Sequence, residues 1–405
     1  MPWKETCPMD ERMAFVVAFQ SGEWSLSELC RRHGISRKTG YKLIERVGSE
    51  GAAGLLERSR RPHRAGLAMA PEIAEALLAL RVERGWGPRK IKAWLEWRRP
   101  DEHWPAASTI GELYDRHGLT RPRRRRRRTT PNGLALAACD EPNAVWCIDF
   151  KGWIVTGSGE RVDPLTLSDA CSRFLLRCEA VARGDGAHVW PVLEAAFYEY
   201  GLPRVLRSDN GPPFASVAAG GLSRLAVRVI KAGVRPERIA PGQPQQNGRH
   251  ERMHLTLKQA ACTPPAPTLA QQVERFAQFR QAYNHERPHE ALGQRPPASV
   301  YRPSPRPYNG ILRQPDYPSH AKVRRVRHNG TIKWQGEEVF ISEALAGEPV
   351  GLYETASQLH LVRYAEIPLG TLNGKQGFQP LGAGRSPRPK QQQNEPGKLS
   401  PMSPG

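Results

Sequence analysis

Apolar residues recur at helical spacing over the first 118 residues, then give way at about Ala144 to short apolar runs separated by turn signals. In "SLSELCRRHGISRKTGYKLIERV", Ser25 and Glu28 predict a capping box, with Leu26, Leu29 and Cys30 on one face and a break at His33-Gly34. Ser36 opens a second helix that carries Arg37, Lys38, Thr39 and Lys42 outward and Leu43 and Ile44 inward. Two short helices around a glycine turn predict a helix-turn-helix over residues 8–50, its second helix suited to a DNA groove; a helical hairpin with a solvated basic face is the alternative. Ile73, Ala76, Leu77 and Leu80, then Pro88 at a helix start and Ser108 as a cap, predict a second helix-turn-helix-like unit over 71–118.

The central pattern reads as an α/β domain. "AVWCIDFKGWIV" predicts a strand with Asp149 in its middle, and "DPLTLSDACSRFLLRCEAVA" two strands around a turn at residues 169–172. A helix ends at Gly201, "PRVLRSD" is a fourth strand, a further helix follows, and "ERIA" is a short fifth strand. A loop then runs to Gly248, and Glu251 sits near the start of a helix with His254, Leu255 and Lys258 at helical spacing. This order predicts a mixed sheet with helices on its faces. Residues 321–373 alternate apolar and polar positions between turns and predict a small β-barrel with Arg324, Arg325 and Arg327 upon it. Residues 382–405, rich in Pro, Gly, Ser and Gln, predict a disordered tail.

Charge narrows the partners. The 405-residue chain holds 60 Lys and Arg against 40 Asp and Glu, a net +20, which favours a polyanion. Residues 1–130 alone hold 27 basic against 16 acidic side chains, so the charge is concentrated in the helical part. The linker over 119–139 contains six consecutive arginines, Arg123, Arg124, Arg125, Arg126, Arg127 and Arg128, whose mutual repulsion keeps them extended until phosphates neutralise them. No apolar run approaches the ~18 residues that span a bilayer. The seven cysteines form no C-x-x-C pair, and the N-terminus has no signal-peptide layout, so a cytoplasmic, nucleoid-associated protein is expected.

Three carboxylates stand out. Asp149 lies inside an apolar strand, where an unpaired charge costs roughly several kcal/mol unless it is paired or binds a metal. Asp209 ends the apolar "PRVLRSD" run before Asn210-Gly211-Pro212-Pro213, and Glu251 lies on the later helix. Oxygen-only ligands select hard cations such as Mg²⁺, and three carboxylates suffice for a pair of ions ~3.5–4 Å apart. Asp169 is read as a hairpin former, and Glu286 and Glu290 as structural.

"WCIDF", "LRSDNGPPF", "PGQPQQNGRHERMH" and "YNHERPHEALGQRPPASVY", in that order, resemble the catalytic core of insertion-sequence DDE transposases of the retroviral-integrase superfamily. The resemblance covers residues 140–302 and implies a ribonuclease H-like fold, with Asp149, Asp209 and Glu251 as catalytic metal ligands for two Mg²⁺, Mn²⁺ serving as substitute. It implies that Asn210 and Gly211 support the turn beside the scissile phosphate, and that a homo-multimer, at least a dimer, joins transposon ends to target DNA. Lys258, two turns after Glu251 on the same face, reads as a contact to DNA ends, with a solvated lysine as the alternative. Asp209 and Glu251 stand 42 positions apart, a few more than is usual in the family, with the excess assigned to "SVAAGGLSRL". The rival readings are a catalytically silent DNA-binding protein or domesticated transposase, and a nuclease of the same fold that only cuts.

Overall fold

The computed structural model describes residues 7–58, 69–120, 136–240, 243–356, 359–373 and 377–381. The Arg123–Arg128 run and the 382–405 tail lie outside the described residues. The chain divides into two compact units, Met1–Ile73 and Ala74–Gly405.

The first unit holds α1 (Pro8–Gln20), α2 (Leu26–Arg32) and α3 (Arg37–Glu50), followed by a 3₁₀ turn at Gly51–Leu55. Phe15, Val16, Leu29, Cys30, Leu43 and Leu55 form its core. Ser36 caps α3 by accepting from the Thr39 amide at 3.2 Å, as its sequence context predicts. Ser25 occupies the cap of α2, but its hydroxyl makes no capping bond; the Ser25 carbonyl begins the helix by accepting from the Glu28 and Leu29 amides. Gly40 lets α3 approach its neighbours, because a Cβ there would lie 2.5 Å from Cys30 Sγ and 3.1 Å from Phe15 Cζ.

The second unit begins within α4 (Pro71–Arg84) and continues through α5 (Pro88–Arg98) and α6 (Ala107–Arg116). Leu77, Ile91, Leu95, Ile110, Leu113 and Tyr114 are buried, and the Tyr114 hydroxyl donates to the Leu77 carbonyl at 3.1 Å. Pro88 sits in the first turn of α5, where its missing N–H costs nothing. The cap of α6 is the extended Ala106; Ser108 lies inside the first turn instead.

The central sheet contains β1 (Val145–Phe150), β2 (Ile154–Val155), β3 (Arg161–Asp169), β4 (Leu175–Val181), β5 (Val205–Ser208) and β6 (Arg235–Arg238). β2 and β4 both pair with β3, and the order continues β3-β1-β5-β6. β1 runs antiparallel to β3 and parallel to β5, and β5 parallel to β6, which makes the mixed sheet expected from the pattern. Two boundaries differ from the sequence reading. The run 144–155 breaks after β1, with Gly152 at φ +88°, and only Ile154 and Val155 resume pairing. The last strand begins at Arg235, two residues before "ERIA", because its register is fixed by pairing Arg235 with Val205.

Helices α7 (Gly186–Tyr200) and α8 (Arg224–Lys231) cover one face of the sheet, where Trp146, Ile148, Leu167 and Leu176 meet Trp190, Leu193, Phe197 and Val229. Helices α9 (Gly248–Leu257) and α10 (Leu269–His285) cover the other, where Val162, Leu175 and Cys178 meet Met253, Leu257, Phe276 and Phe279. Successive side chains of a strand point to opposite faces. Trp146, Ile148 and Phe150 therefore belong to the α7 side, and Cys147 and Asp149 to the α9 side. The polar residue is not buried in the main core; the pleat delivers it to the helix that carries Glu251.

The C-terminal strands are β7 (Lys322–Arg325), β8 (Thr331–Trp334), β9 (Glu337–Phe340), β10 (Pro349–Ala356), β11 (Leu359–Tyr364), β12 (Ile367–Asn373) and β13 (Gly377–Pro380). They form a five-stranded antiparallel sheet in the order β13-β12-β11-β10-β7 and a β8–β9 hairpin. Their core joins that of the central domain through Ala219, Leu222, Ala226 and Val227. Gly220, at φ +64°, approaches Leu369 so closely that a Cβ would lie 2.9 Å from it. The 215–222 segment thus packs the C-terminal sheet against the α7–α8 side. Among the described residues, no helix is long and apolar enough to cross a membrane.

Candidate metal centre

Three elements converge where the strands β1 and β5 end. β1 holds Asp149 opposite Thr166 of β3. Asp209 follows β5, its Oδ1 accepting from the Gly211 amide at 3.1 Å. A Cβ at Gly211 would lie 3.1 Å from Asp209 Oδ2, so the glycine makes room for the carboxylate itself. The Asn210 side-chain amide donates to the Ile239 carbonyl at 2.7 Å and ties this turn to the end of β6. Glu251 sits exposed in the first turn of α9, where the helix dipole favours its charge.

The carboxylates act on one another. Burial pushes the Asp149 carboxyl up to about 7, and the fields of Asp209 and, more weakly, Glu251 add to the shift. Among the described residues no Arg or Lys forms an ion pair with any of the three; the nearest basic group is His254, with Nδ1 at 3.9 Å from Asp149 Oδ2. Lys151, close along the chain, is the main charge opposing the shift. The three carboxylates influence one another electrostatically, but among the described residues they do not form a group with ligand atoms within 4.8 Å of one another.

Two histidines lie behind this site. Thr166 Oγ1 is 3.1 Å from the Asp149 carbonyl, 2.8 Å from His250 Nε2 and 2.7 Å from His254 Nε2. A hydroxyl has one proton and two acceptor lone pairs. With its proton on the carbonyl, it accepts from both Nε2 atoms, an arrangement that satisfies all three contacts. The Ser168 hydroxyl then donates to His250 Nδ1 at 2.8 Å, and His254 Nδ1 is left with a lone pair facing Asp149. Burial holds His250 well below its ordinary pKa and His254 at about 4, Lys151 adding to the latter, so both rings are neutral at pH 7.

Asp149, His250 and His254 offer atoms within 4.8 Å of one another, the spacing of a possible ion site, and residues 250–254 have the H-E-x-x-H form of zinc helices. The hydrogen bonds argue against that trio. Both His250 nitrogens are committed to hydroxyls, and Thr166 Oγ1 stands where the two Nε2 atoms converge. Of that trio, the Asp149 carboxylate and His254 Nδ1 are left open, and Asp209 and Glu251 lie outside its 4.8 Å spacing. The i, i+4 histidines flanking Glu251 were a signal in the sequence, but their hydroxyl partners lie more than 80 residues away and were not legible.

The remaining candidates are dispersed. Arg37, Lys38, Thr39 and Lys42 are exposed at the start of α3, Thr39 Oγ1 sharing a 2.8 Å bond with Ser36. Lys258 is exposed at the start of a π-helical turn that follows α9. Asp169 shapes the β3–β4 turn as expected, accepting from Asn143, Ser172 N and Ser172 Oγ at 2.6–2.8 Å. Glu286 and Glu290 pair with arginines of the α4–α5 region.

Integrase core domain models match residues 140–244 and 232–297, and a model of the leucine-zipper of insertion element IS481 matches 11–83. An uncharacterized 31.7 kDa protein of insertion element IS407 from Burkholderia multivorans is 31% identical over 223 residues, 54% of this chain and 77% of that protein. The chain belongs to the integrase-core family of insertion-element transposases. Within that family, an uncharacterized 39.2 kDa protein of insertion element IS476 from Xanthomonas euvesicatoria is 32% identical over 192 residues, 47% of this chain. The chain spans about half of that relative, 53% of its length. Among solved structures, the HTLV-2 integrase catalytic core domain in complex with magnesium aligns at 13% identity and a TM-score of 0.32 over 40% of this chain and 98% of that one.

Proposed function

We propose that this chain is a DDE transposase that cuts DNA at the ends of its element and joins them to target DNA. The observation that supports this reading is the electrostatic coupling of the carboxylates: a half-buried Asp149 held up to about 7 partly by Asp209 and Glu251, with no Arg or Lys paired to them among the described residues. In this reading Asp149, Asp209 and Glu251 hold two Mg²⁺, which when bound activate the attacking oxygen and stabilise the leaving one. The Gly211 amide fixes Asp209, and Asn210 holds the turn.

The chemistry is direct displacement at phosphorus. Water adds to a phosphodiester, the bond to the 3′ oxygen breaks, and a 3′-hydroxyl and a 5′-phosphate result. That 3′-hydroxyl then attacks a target phosphodiester, forming one P–O bond as another breaks. Residues 8–50 and 71–118 read the element ends as helix-turn-helix units, with Arg37, Lys38, Thr39 and Lys42 toward the groove. Arg123 to Arg128 clamp backbone phosphates in the linker 119–139, the core over 140–302 does the chemistry, and the strands over 321–373 form a small barrel. Lys258 contacts the reacting ends, and at least two protomers act together at the nucleoid, since two ends must be joined.

Strand transfer with labelled duplexes from both edges of the native locus tests this. The wild type joins ends to target DNA in Mg²⁺ or Mn²⁺, while Asp149→Asn and Glu251→Gln bind the same duplexes without joining them. Tight binding by all three without reaction would leave a silent DNA-binding protein; joining by the variants would refute the triad.

A further inference from the structure

The 283–301 segment, which distinguishes this chain from a generic nuclease, divides by role. Tyr283 is buried, Asn284 bonds both the amide and the carbonyl of Leu175 at 2.8 and 2.9 Å, and Tyr301 stacks on Phe174 at 4.3 Å. These three hold the fold. Arg287 and His289 are left over. The Arg287 side chain makes no hydrogen bond or ion pair among the described residues, and its guanidinium lies over Trp86 at 5.9 Å. His289 Nε2 is buried without a partner, its ring edge-on to Tyr283 at 4.8 Å.

Lys90, in the first turn of α5, faces the same place from the second helical group. Its side chain also lacks a hydrogen bond or ion pair among the described residues, and Arg287 and Arg252 both act on it. Lys90, Arg287 and Arg173 all act on His289. The nearby acids are largely engaged: Glu286 with Arg84 and Arg98, and Glu290, which pulls on Lys90, with Arg89 at 3.6 Å. Arg173 and Arg249 each spend one nitrogen on the Ala170 carbonyl. Half-buried like charges repel in a medium that screens them poorly. Burial and Arg287 accordingly lower Lys90 to about 8. An anion would relieve that repulsion and satisfy the orphaned nitrogen.

We propose that Lys90, Arg287 and His289 bind a backbone phosphate of DNA at the seam between the second helical group and the integrase core, with Arg252 and Arg173 at the rim. This rests on the reading of the chain as a DNA-processing enzyme. A phosphodiester fits better than a base, because Trp86 is buried and already covered by guanidinium groups. Arg252, next to Glu251 in the sequence of α9, also acts on Lys90, so the positive field of this site extends to the helix that carries Glu251. The site makes the second helical group part of the path to the active site rather than a remote anchor.

Fluorescence anisotropy of the full chain on a labelled duplex, in EDTA and over a series of salt concentrations, tests the site. Every phosphate that the protein ceases to neutralise flattens the dependence of log K on log[salt] by about 0.9. Lys90→Gln and Arg287→Gln each flatten it and weaken all sequences alike, the double variant by roughly that amount, whereas Lys90→Arg keeps the wild-type slope. An unchanged slope in a Lys90→Gln protein that melts like the wild type overturns the proposal. Inorganic phosphate matched for ionic strength separates the sources: if it protects the wild type but not Lys90→Gln against thermal unfolding while their DNA slopes agree, the site takes free anions and the strand assignment falls. A wild type that binds no duplex overturns the functional reading, and this site with it.

Discussion

Asp149 is the residue on which the site's electrostatics turn. In the metal-free protein its carboxyl titrates near 7 instead of 3.8, so the folded state holds the proton more tightly than the unfolded chain does. The stability this gives is complete below pH 4 and lost as the pH rises through 7, at most about 4 kcal/mol at ~1.4 kcal/mol per unit. His254 has the opposite sign: with its pKa depressed to about 4, its contribution is present above 6.5 and lost as the pH falls toward 4. Asp149→Asn is therefore expected to melt above the metal-free wild type at pH 8, by a margin that shrinks as the pH falls and closes below pH 4, in thermal unfolding followed by circular dichroism. Mg²⁺ should raise the wild type and leave the variant unmoved. Gly211→Ala presses a methyl toward Asp209 and is expected to cut strand transfer by about tenfold or more, since small misplacements of reacting groups cost that much, with little change in melting temperature. The strand that carries Asp149 and the turn after Asp209 were legible in the sequence. The hydroxyl-to-imidazole network was not, because Thr166 and Ser168 meet His250 only once β3 and α9 are packed.

At the scale of elements, the strand and helix order followed from periodicity, and the differences arose where pairing partners set the ends. β6 starts at Arg235 because β5 dictates its register, and β1 stops before Gly152 because the chain turns there. The 283–301 segment shows how far motif reading reaches: it pointed to this core but not to what each residue does. Asn284 works as a substitute strand edge, giving its side chain to Leu175 of β4 in place of a neighbour's backbone. Asn284→Ala leaves the Leu175 amide and carbonyl unsatisfied and is expected to cost about 2–4 kcal/mol in urea unfolding, at ~1–2 kcal/mol per orphaned group. The stretch "SVAAGGLSRL", residues 216–225, looked in sequence like an extension before a helix. Its role is to meet β12, which no local pattern encodes.

At the scale of the molecule, the excess of basic residues in the N-terminal third and the cation cluster around Lys90 have one physical consequence: binding to DNA should be steeply salt-dependent and only partly sequence-specific. Removing residues 1–73 is expected to abolish discrimination between element-end and random duplexes in competition assays while leaving measurable non-specific binding. Equal discrimination by the truncated chain would show that end recognition lies elsewhere. The central claim is that the three carboxylates, not the histidine trio, hold the metal. Manganese anomalous diffraction from crystals of the full chain soaked in MnCl₂ tests it most directly. The account predicts a peak at ordinary Mn–O distance from carboxylate oxygens of Asp149 and Asp209, and loss of that peak in Asp149→Asn. A peak bonded to His250 and His254, or none near Asp149, would contradict it.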